Sequence, residues 1–255
     1  MNKLLFTLKN SNTVKFPLRK LKKITNFRNK NNDLFTLWIN DNNELPELQQ
    51  LSLKSMLLTG HNVTLYTYSK MNNIPEGVNS VAAGKIIDKS RIFKYKTGFN
   101  KGSYSGFANW FRAKCLYENG GTWFDCDILA IKNINEIIEG NIISSQYDRE
   151  GNLNPNNGFL KLEKKDKLLK AMIKHMDKAK DNVKHGDTGP ALLKFMMDNE
   201  YKEYYKYLSK PSFIASINFF DYKDFLKPSK DITKKWNLMR YGDSMYGMLC
   251  FDIIK

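Results

Sequence analysis

Residues 104–129, YSGFANWFRAKCLYENGGTWFDCDIL, form the stretch of this sequence that decides its fold. From Ser105 onward, apolar side chains recur at helical spacing, which predicts a helix with one buried stripe. Gly120 and Gly121 then favour the left-handed backbone that ends a helix. The aromatic and aliphatic run over residues 123–131 predicts a strand. A helix, a sharp turn and a buried strand therefore follow one another.

Two acids, Asp125 and Asp127, lie within the predicted strand. Because side chains two positions apart leave a strand on the same face, both carboxylates are expected to point one way. Adjacent carboxylates repel each other unless a cation lies between them, and magnesium or manganese bound by one or two carboxylates plus substrate phosphates is the usual solution. Arg112, on the polar flank of the helix, is expected to return to the end of this strand, where a guanidinium suits a diphosphate. By itself, an Asp-X-Asp pair is more often two solvated loop acids than a metal site.

The complete pattern resembles the signature of retaining GT-A glycosyltransferases, which bind a nucleotide sugar at a DXD motif. That family includes outer-chain mannosyltransferases, alpha-1,4-glycosyltransferases and capsular polysaccharide enzymes, and it is distantly similar to the clostridial glucosylating toxins. The residues that carry the resemblance are Ala108, Arg112, Leu116, Gly120, Gly121, Trp123, Asp125 and Asp127. The resemblance implies a single Rossmann-like α/β domain with a mixed, mostly parallel sheet flanked by helices.

The resemblance also implies roles for other residues. Trp38 is similar to a tryptophan that stacks on the donor base, although a core tryptophan is the equal alternative. Asn156 is similar to an asparagine beside the donor sugar, and its alternative is an asparagine that serves only a turn. Residues 188–190 resemble a Thr-Gly-Pro element on the acceptor side, and Asp187 or Thr188 suits the cap of the helix that follows. The candidate catalytic residues are Asp125, Asp127 and Arg112, the candidate donor-binding residues are Trp38, Asn109, Arg112, Trp123, Asp125, Asn156, Asp187, Thr188 and Gly189, and the candidate metal ligands are Asp127, Asp125 and Asp252.

The sequence departs from the family at two positions. The family usually has Asp where this chain has Asn109, and an amide forms hydrogen bonds but carries no negative charge. The family often has a histidine metal ligand in its closing strand where this chain has Leu249. Either Asp252 takes over as an oxygen ligand, or the cation is held by Asp127 and the diphosphate alone.

The rest of the chain predicts a sheet by its own pattern. Residues 34–39 and 62–68 are apolar runs of strand length, and residues 44–58 between them have amphipathic helical spacing. Strand, helix and strand in this order predict a βαβ unit with a parallel pair. The later predicted elements are a strand and helical turn over residues 80–87, strands over 141–146 and 158–163, helices over 164–180 and 190–197, and a polar loop over 147–157 as a candidate cover for the site.

Length and composition bound the organisation of the chain. The 255 residues suit one domain over residues 33–255, preceded by a basic arm over residues 1–32. The arm is interpreted either as an amphipathic segment on an anionic membrane or as a solvated extension. Three cysteines without CxxC spacing do not form a disulfide framework, and no signal peptide or membrane span is predicted. A cytoplasmic setting is expected, and the first interpretation of the arm adds peripheral contact with the membrane.

The net charge of +15 raises nucleic-acid binding as an alternative. The lysines outside the arm are scattered and form no recognisable motif, so no specific nucleic-acid partner is expected. The favoured hypothesis is a glycosyltransferase of polysaccharide biosynthesis that uses Mn²⁺ or Mg²⁺ and moves a sugar from a UDP- or GDP-sugar to a hydroxyl of a glycan or lipid-linked acceptor. Front-face attack is the favoured route to retention, because Asn109 cannot act as a nucleophile. An inactive relative that only binds the sugar nucleotide is the second alternative.

Overall fold

The computed structural model describes residues 33–98, 100–128, 130, 133, 139–147, 152–179, 183–184 and 186–209. The basic arm, Leu249 and Asp252 lie outside the described residues. No helix in the described part of the chain combines the length and the apolar character needed to cross a membrane.

Six strands in the described residues form one mixed sheet. They are β1 (Asp33–Trp38), β2 (Asn62–Thr67), β3 (Asn79–Ala82), β4 (Thr122–Phe124), β5 (Ile142–Tyr147) and β6 (Leu153–Lys161). The strand order is β3-β2-β1-β4-β6-β5. The first four strands in this order run parallel, whereas β6 is antiparallel to both of its neighbours. The predicted mixed, mostly parallel sheet is therefore confirmed.

Helices cover both faces of this sheet. They are α1 (Glu47–Leu58), α2 (Ser105–Asn119), α3 (Lys167–Ala179) and α4 (Pro190–Asn199), with short 3-10 turns at Ala83–Lys85, Lys89–Arg91 and Lys202–Tyr207. Helix α1 joins β1 to β2, which confirms the predicted βαβ unit and its parallel pair. It begins at Glu47, directly after Pro46, because proline has no N–H to donate and suits the start of a helix.

Two apolar clusters fill the space between the sheet and its helices. One contains Phe107 and Phe111 of α2 together with residues of α3 and α4, and the other contains Leu53 of α1. The adjacent β4 residues Trp123 and Phe124 lie in different clusters, because successive side chains leave a strand on opposite faces. Strand β4 is therefore buried on both sides, and its carboxyl end is held rigidly.

The strand predicted over residues 123–131 is wrong in its length. Strand β4 ends at Phe124, and the N–H of Ile128 bonds to the carbonyl of Asp125 across a turn. Cys126 and Ile128 are buried because the turn packs back onto the core, so their apolar character did not indicate a continuing strand. The two acids lie on a turn, and strand alternation does not set their directions.

The loop predicted over residues 147–157 is also wrong in part. Strand β6 begins at Leu153, well before the predicted start of its strand at residue 158, and Leu153 pairs with the last residue of β5. Backbone hydrogen bonds between β5 and β6 extend the strand through polar residues, since the ladder does not depend on apolar side chains. Residues 148–151, between β5 and β6, lie outside the described residues.

Candidate active site

The candidate site lies at the carboxyl ends of β1 and β4. In their parallel pairing Leu34 is beside Thr122 and Phe35 is beside Trp123, so both strands end at the same edge of the sheet. Trp38, the last residue of β1, is only partly buried and packs against the apolar cluster that contains Leu53 of α1. Ligands of open α/β sheets bind at this edge. The structure therefore brings Trp38 and the turn with the two acids to one edge.

Asp125 and Arg112 form the central contact of the site. The Arg112 Nη2 donates to Asp125 Oδ1 at 2.6 Å, which confirms the predicted return of the helix to the end of the acidic strand. Trp123 Nε1 donates to the same oxygen at 2.9 Å. The Arg112 side chain is 5% exposed and the Asp125 side chain 39% exposed. The carboxylate thus faces solvent while the two groups that hold it are buried.

Asn109 connects Arg112 to two other parts of the chain. Its Oδ1 accepts hydrogen bonds from Arg112 Nη1 at 3.0 Å and from Asn157 Nδ2 at 3.3 Å. Its Nδ2 donates to Thr188 Oγ1 at 3.2 Å. The amide uses both its acceptor and its donor groups here, and a single amide joins α2, β6 and the Thr-Gly-Pro turn.

The turn before α4 packs directly on Asn109. Gly189 has φ +70°, and a Cβ at this position would lie 2.4 Å from Asn109 Nδ2. Thr188 is buried, with 2% of its surface exposed, and its hydroxyl oxygen lies 3.1 Å from the Tyr95 hydroxyl oxygen. The Thr-Gly-Pro element is therefore brought to the same site as the DXD element.

The predicted side-chain cap of α4 is wrong. Gly189 is the N-cap residue, and no side chain caps the helix, although Pro190 does begin it as predicted. The hydroxyl of Thr188 is instead directed to Asn109 and Tyr95. Asp187 accepts the backbone N–H of Lys184 at 2.8 Å, so its contacts stabilise the preceding turn.

Asn156 lies beside Asp125, inside β6 and not in a turn. Its Oδ1 accepts the N–H of Gly158 at 2.6 Å. A Cβ on Gly158 would lie 3.0 Å from Asn156 Oδ1 and 3.1 Å from Asp125 Oδ2. Two oxygen acceptors therefore flank the space left open at Gly158. The Asp125 N–H also donates to the Gly158 carbonyl at 2.7 Å, which fixes the acidic turn against β6.

Asp127 follows two positions later and is largely buried, with 9% of its surface exposed. No group of three or more His, Cys, Asp or Glu residues with metal-binding geometry occurs within the described ranges. This donor set does not fit a closed protein cage for a metal. It does fit a hard divalent cation that takes one or two carboxylates from the protein and its other oxygens from substrate phosphates and water.

Burial and charge affect the titrating groups in opposite ways. Burial lowers the pKa of Arg112, while the charges of Asp125 and Asp127 raise it; a guanidinium nevertheless stays protonated in proteins. Burial raises the pKa of the Cys126 thiol to about 12, and the same two acids add to this rise. Cys126 is therefore a neutral thiol at physiological pH and is excluded as a nucleophile.

The site contains one predicted residue, Trp123, that supports another side chain, and three residues that no local sequence signal marks. Trp123, predicted to bind the donor, is 1% exposed and reaches the site through its indole N–H, so it supports Asp125. Tyr95, Asn157 and Gly158 were not selected from the sequence. Tyr95 and Thr188 are 93 positions apart in the sequence, and Asn157 and Asn109 are 48 positions apart. A local sequence pattern does not predict contacts over such separations.

No family model and no curated protein matches this chain. Among solved structures, the PaToxG glycosyltransferase is similar, with 11% identity and a TM-score of 0.47 over 88% of this chain and 79% of that one. The glycosyltransferase GlyE of Streptococcus pneumoniae is similar at 14% identity, with a TM-score of 0.42 over 88% of this chain. Its apo form gives a TM-score of 0.39 at 14% identity over 71% of this chain. This chain spans 45% and 60% of the two GlyE chains. Because every one of these TM-scores is below 0.5, function has to be inferred from the site.

Proposed function

We propose that this protein is a metal-dependent glycosyltransferase that moves a sugar from a UDP- or GDP-sugar to a hydroxyl of a glycan or lipid-linked acceptor. One observation carries the proposal: Asp125 is presented to solvent at the carboxyl end of β4 by the buried donors of Arg112 and Trp123. A second acid, Asp127, follows on the same turn. The sequence resemblance to DXD glycosyltransferases falls on these same residues.

The chemistry requires neutralisation of a leaving diphosphate. Asp127 and Asp125 would hold Mn²⁺ or Mg²⁺, and the bound cation would supply Lewis-acid stabilisation of the diphosphate oxygens. Arg112 adds a fixed positive charge that offsets the repulsion between the two acids. Asn156 and Gly158 form the wall next to Asp125, where a sugar or ribose hydroxyl could donate to the oxygens of Asp125 and Asn156.

Transfer with retention is proposed to follow a front-face route. The bond between the anomeric carbon and the diphosphate oxygen breaks, the acceptor oxygen bonds to the same face of that carbon, and the acceptor proton passes to the leaving diphosphate. Double displacement would need a carboxylate nucleophile. Asn109 cannot supply one, and its amide is bonded to Arg112, Asn157 and Thr188.

A sugar-nucleotide-binding protein without transfer activity is the second candidate. It is favoured by the same amide, since the family's usual acid at this position is replaced by a group that is engaged inside the protein. The two candidates differ in turnover, not in ligand binding.

The test is release of UDP or GDP from a panel of UDP- and GDP-sugars with Mn²⁺. The wild type should release nucleotide, and Asp127→Asn should lose at least about 100-fold of this activity because the cation loses a ligand. Asp198→Asn is the matched control, because Asp198 pairs with Lys194 on the exposed surface of α4. Binding without release would favour the second candidate. Neither binding nor release, or tight salt-sensitive binding of nucleic acid instead, would refute both.

A further inference from the structure

We infer that Arg112 is a positioning residue that acts on the reaction through Asp125 and makes no direct contact with the diphosphate of the donor. The inference rests on the proposed function and deepens it. It assigns the ligand contact to the exposed Asp125 carboxylate and the positioning of that carboxylate to the buried Arg112 guanidinium.

Both terminal nitrogens of the Arg112 guanidinium donate hydrogen bonds to the protein. Nη2 donates to Asp125 Oδ1 at 2.6 Å, and Nη1 donates to Asn109 Oδ1 at 3.0 Å. The remaining nitrogen, Nε, is buried and has no hydrogen-bond acceptor among the described residues. Each terminal nitrogen thus already has a protein acceptor. One N–H of each terminal nitrogen is therefore engaged by the protein, and contact between a diphosphate and the remaining N–H groups depends on their access to solvent.

The Arg112 side chain is far less accessible to solvent than the Asp125 side chain. Only 5% of the Arg112 side chain is exposed, compared with 39% of the Asp125 side chain. The Trp123 ring covers the guanidinium, with its centroid 5.2 Å from Arg112 Cζ, and Trp123 is itself 1% exposed. A ligand that enters from solvent therefore meets the carboxylate of Asp125 first.

Two donors converge on one oxygen of the Asp125 carboxylate. Arg112 Nη2 and Trp123 Nε1 both donate to Asp125 Oδ1, whereas Oδ2 lies toward the open position at Gly158, 3.1 Å from where a Cβ would be. Two buried donors on one oxygen fix the rotation of the carboxylate about its side-chain bonds. Such preorganisation places the other oxygen for a ligand before it binds.

The test is a double-mutant cycle between Arg112→Gln and Asp125→Asn, measured as Mn²⁺-dependent nucleotide release from the best UDP- or GDP-sugar. If Arg112 acts through Asp125, Arg112→Gln lowers kcat/KM at least about 10-fold in the wild type and less than about 2-fold in the Asp125→Asn background. Equal losses in both backgrounds would show an independent contact with the donor and overturn the inference.

Two further variants separate positioning from charge and from folding. Arg112→Lys keeps the positive charge but loses the planar fork, so it should behave like Arg112→Gln; restored activity would overturn the inference. If Arg112→Gln does not fold, as judged by its thermal unfolding, the cycle is run with Trp123→Phe. That variant removes the other donor to Oδ1 together with part of a buried ring, and its loss of kcat/KM should likewise be less than about 2-fold in the Asp125→Asn background. A wild type that neither binds nor hydrolyses any sugar nucleotide would instead refute the proposed function.

Discussion

Gly189 and Asn109 are interlocked: a Cβ on Gly189 would lie 2.4 Å from Asn109 Nδ2. The missing side chain lets the Thr-Gly-Pro turn approach helix α2 closely enough for Thr188 Oγ1 to accept from the same amide at 3.2 Å. Residues 79 positions apart in the sequence therefore meet at one amide. The part of the site that carries the acids and the part that carries this turn are built as one unit.

Gly189→Ala should disrupt this unit. The substitution places a methyl group on the Asn109 amide and also imposes a side chain on a backbone with φ +70°. We expect the free energy of unfolding to fall by about 2–5 kcal/mol in total, from backbone strain and overpacking together, with loss of most nucleotide release. Urea denaturation and the release assay measure the two effects.

Gly102→Ala is the matched control for that variant. Gly102 has φ +85°, but no atom lies within 4 Å of the place that its Cβ would take. It should therefore show only the backbone cost, about 1–2 kcal/mol, and keep its activity. Equal losses in both variants would show that contact with Asn109 is unimportant.

The Thr188 hydroxyl gives a second prediction. Thr188→Val keeps the shape of the side chain but removes the oxygen that accepts from Asn109 and lies 3.1 Å from the Tyr95 hydroxyl. Loss of these two hydrogen bonds should cost about 1–3 kcal/mol of stability and lower kcat, since the Thr-Gly-Pro turn no longer holds the Asn109 amide. Thr188→Ser retains the hydroxyl and should retain most of the activity. If the serine variant loses as much activity as the valine variant, the hydroxyl is not the cause.

The first part of the fold could be predicted from sequence because its signals are local. Helical spacing from Ser105 and the glycines at 120 and 121 predicted helix α2 (Ser105–Asn119) nearly to the residue, and apolar runs predicted β1 and β2. The end of β4 could not be predicted this way. Cys126 and Ile128 are as apolar as strand residues, and only their packing in three dimensions shows that the chain turns at Asp125.

In the site, too, contacts between neighbouring elements could be predicted from the sequence, whereas contacts between distant parts of the chain could not. The approach of Arg112 to the acids follows from a helix, a turn and a strand adjacent in sequence, and the predicted proximity is confirmed. Tyr95 and Asn157 belong to the site through tertiary contacts alone, and both are ordinary polar residues in their local sequence. The roles of the predicted donor-binding residues stay predictions until a ligand is bound.

Gly158→Ala tests the open position beside Asp125. The added methyl group would lie 3.0 Å from Asn156 Oδ1 and 3.1 Å from Asp125 Oδ2, in the space proposed for a donor hydroxyl. We expect Kd for the donor to rise at least about 10-fold, equivalent to about 1.4 kcal/mol, with little change in melting temperature. Gly84→Ala, where nothing lies within 4 Å, is the control and should bind normally. Unchanged donor affinity in the Gly158 variant would place the sugar elsewhere.

The buried Cys126 thiol should make the free energy of unfolding depend on pH. Its Sγ lies 3.0 Å from Thr36 Oγ1, which ties the acidic turn to β1, and burial raises the pKa of its thiol from 9.0 to about 12. The folded thiol keeps its proton where the unfolded thiol has lost it. The resulting stability is present below pH 9 and is lost as the pH rises from 9 to about 12.

The measurement is urea denaturation at pH 8 and pH 10 for the wild type and Cys126→Ala. The wild type should lose about 1 kcal/mol more than the variant between these two pH values, because the unfolded thiol releases its proton around pH 9 while the folded thiol keeps it, an average of about half a proton over the interval. Equal losses in the two proteins, or rapid alkylation of native Cys126 at pH 8, would mean that the thiol is not held in a closed turn.

The most direct measurement is the anomalous diffraction of manganese in crystals grown with MnCl₂ and UDP or GDP. We predict a manganese peak within coordination distance of the Asp127 carboxylate and of the nucleotide diphosphate, absent from Asp127→Asn crystals, with Arg112 still bonded to Asp125. Nucleotide bound with no manganese peak near Asp127, or no nucleotide at the carboxyl ends of β1 and β4, would contradict it.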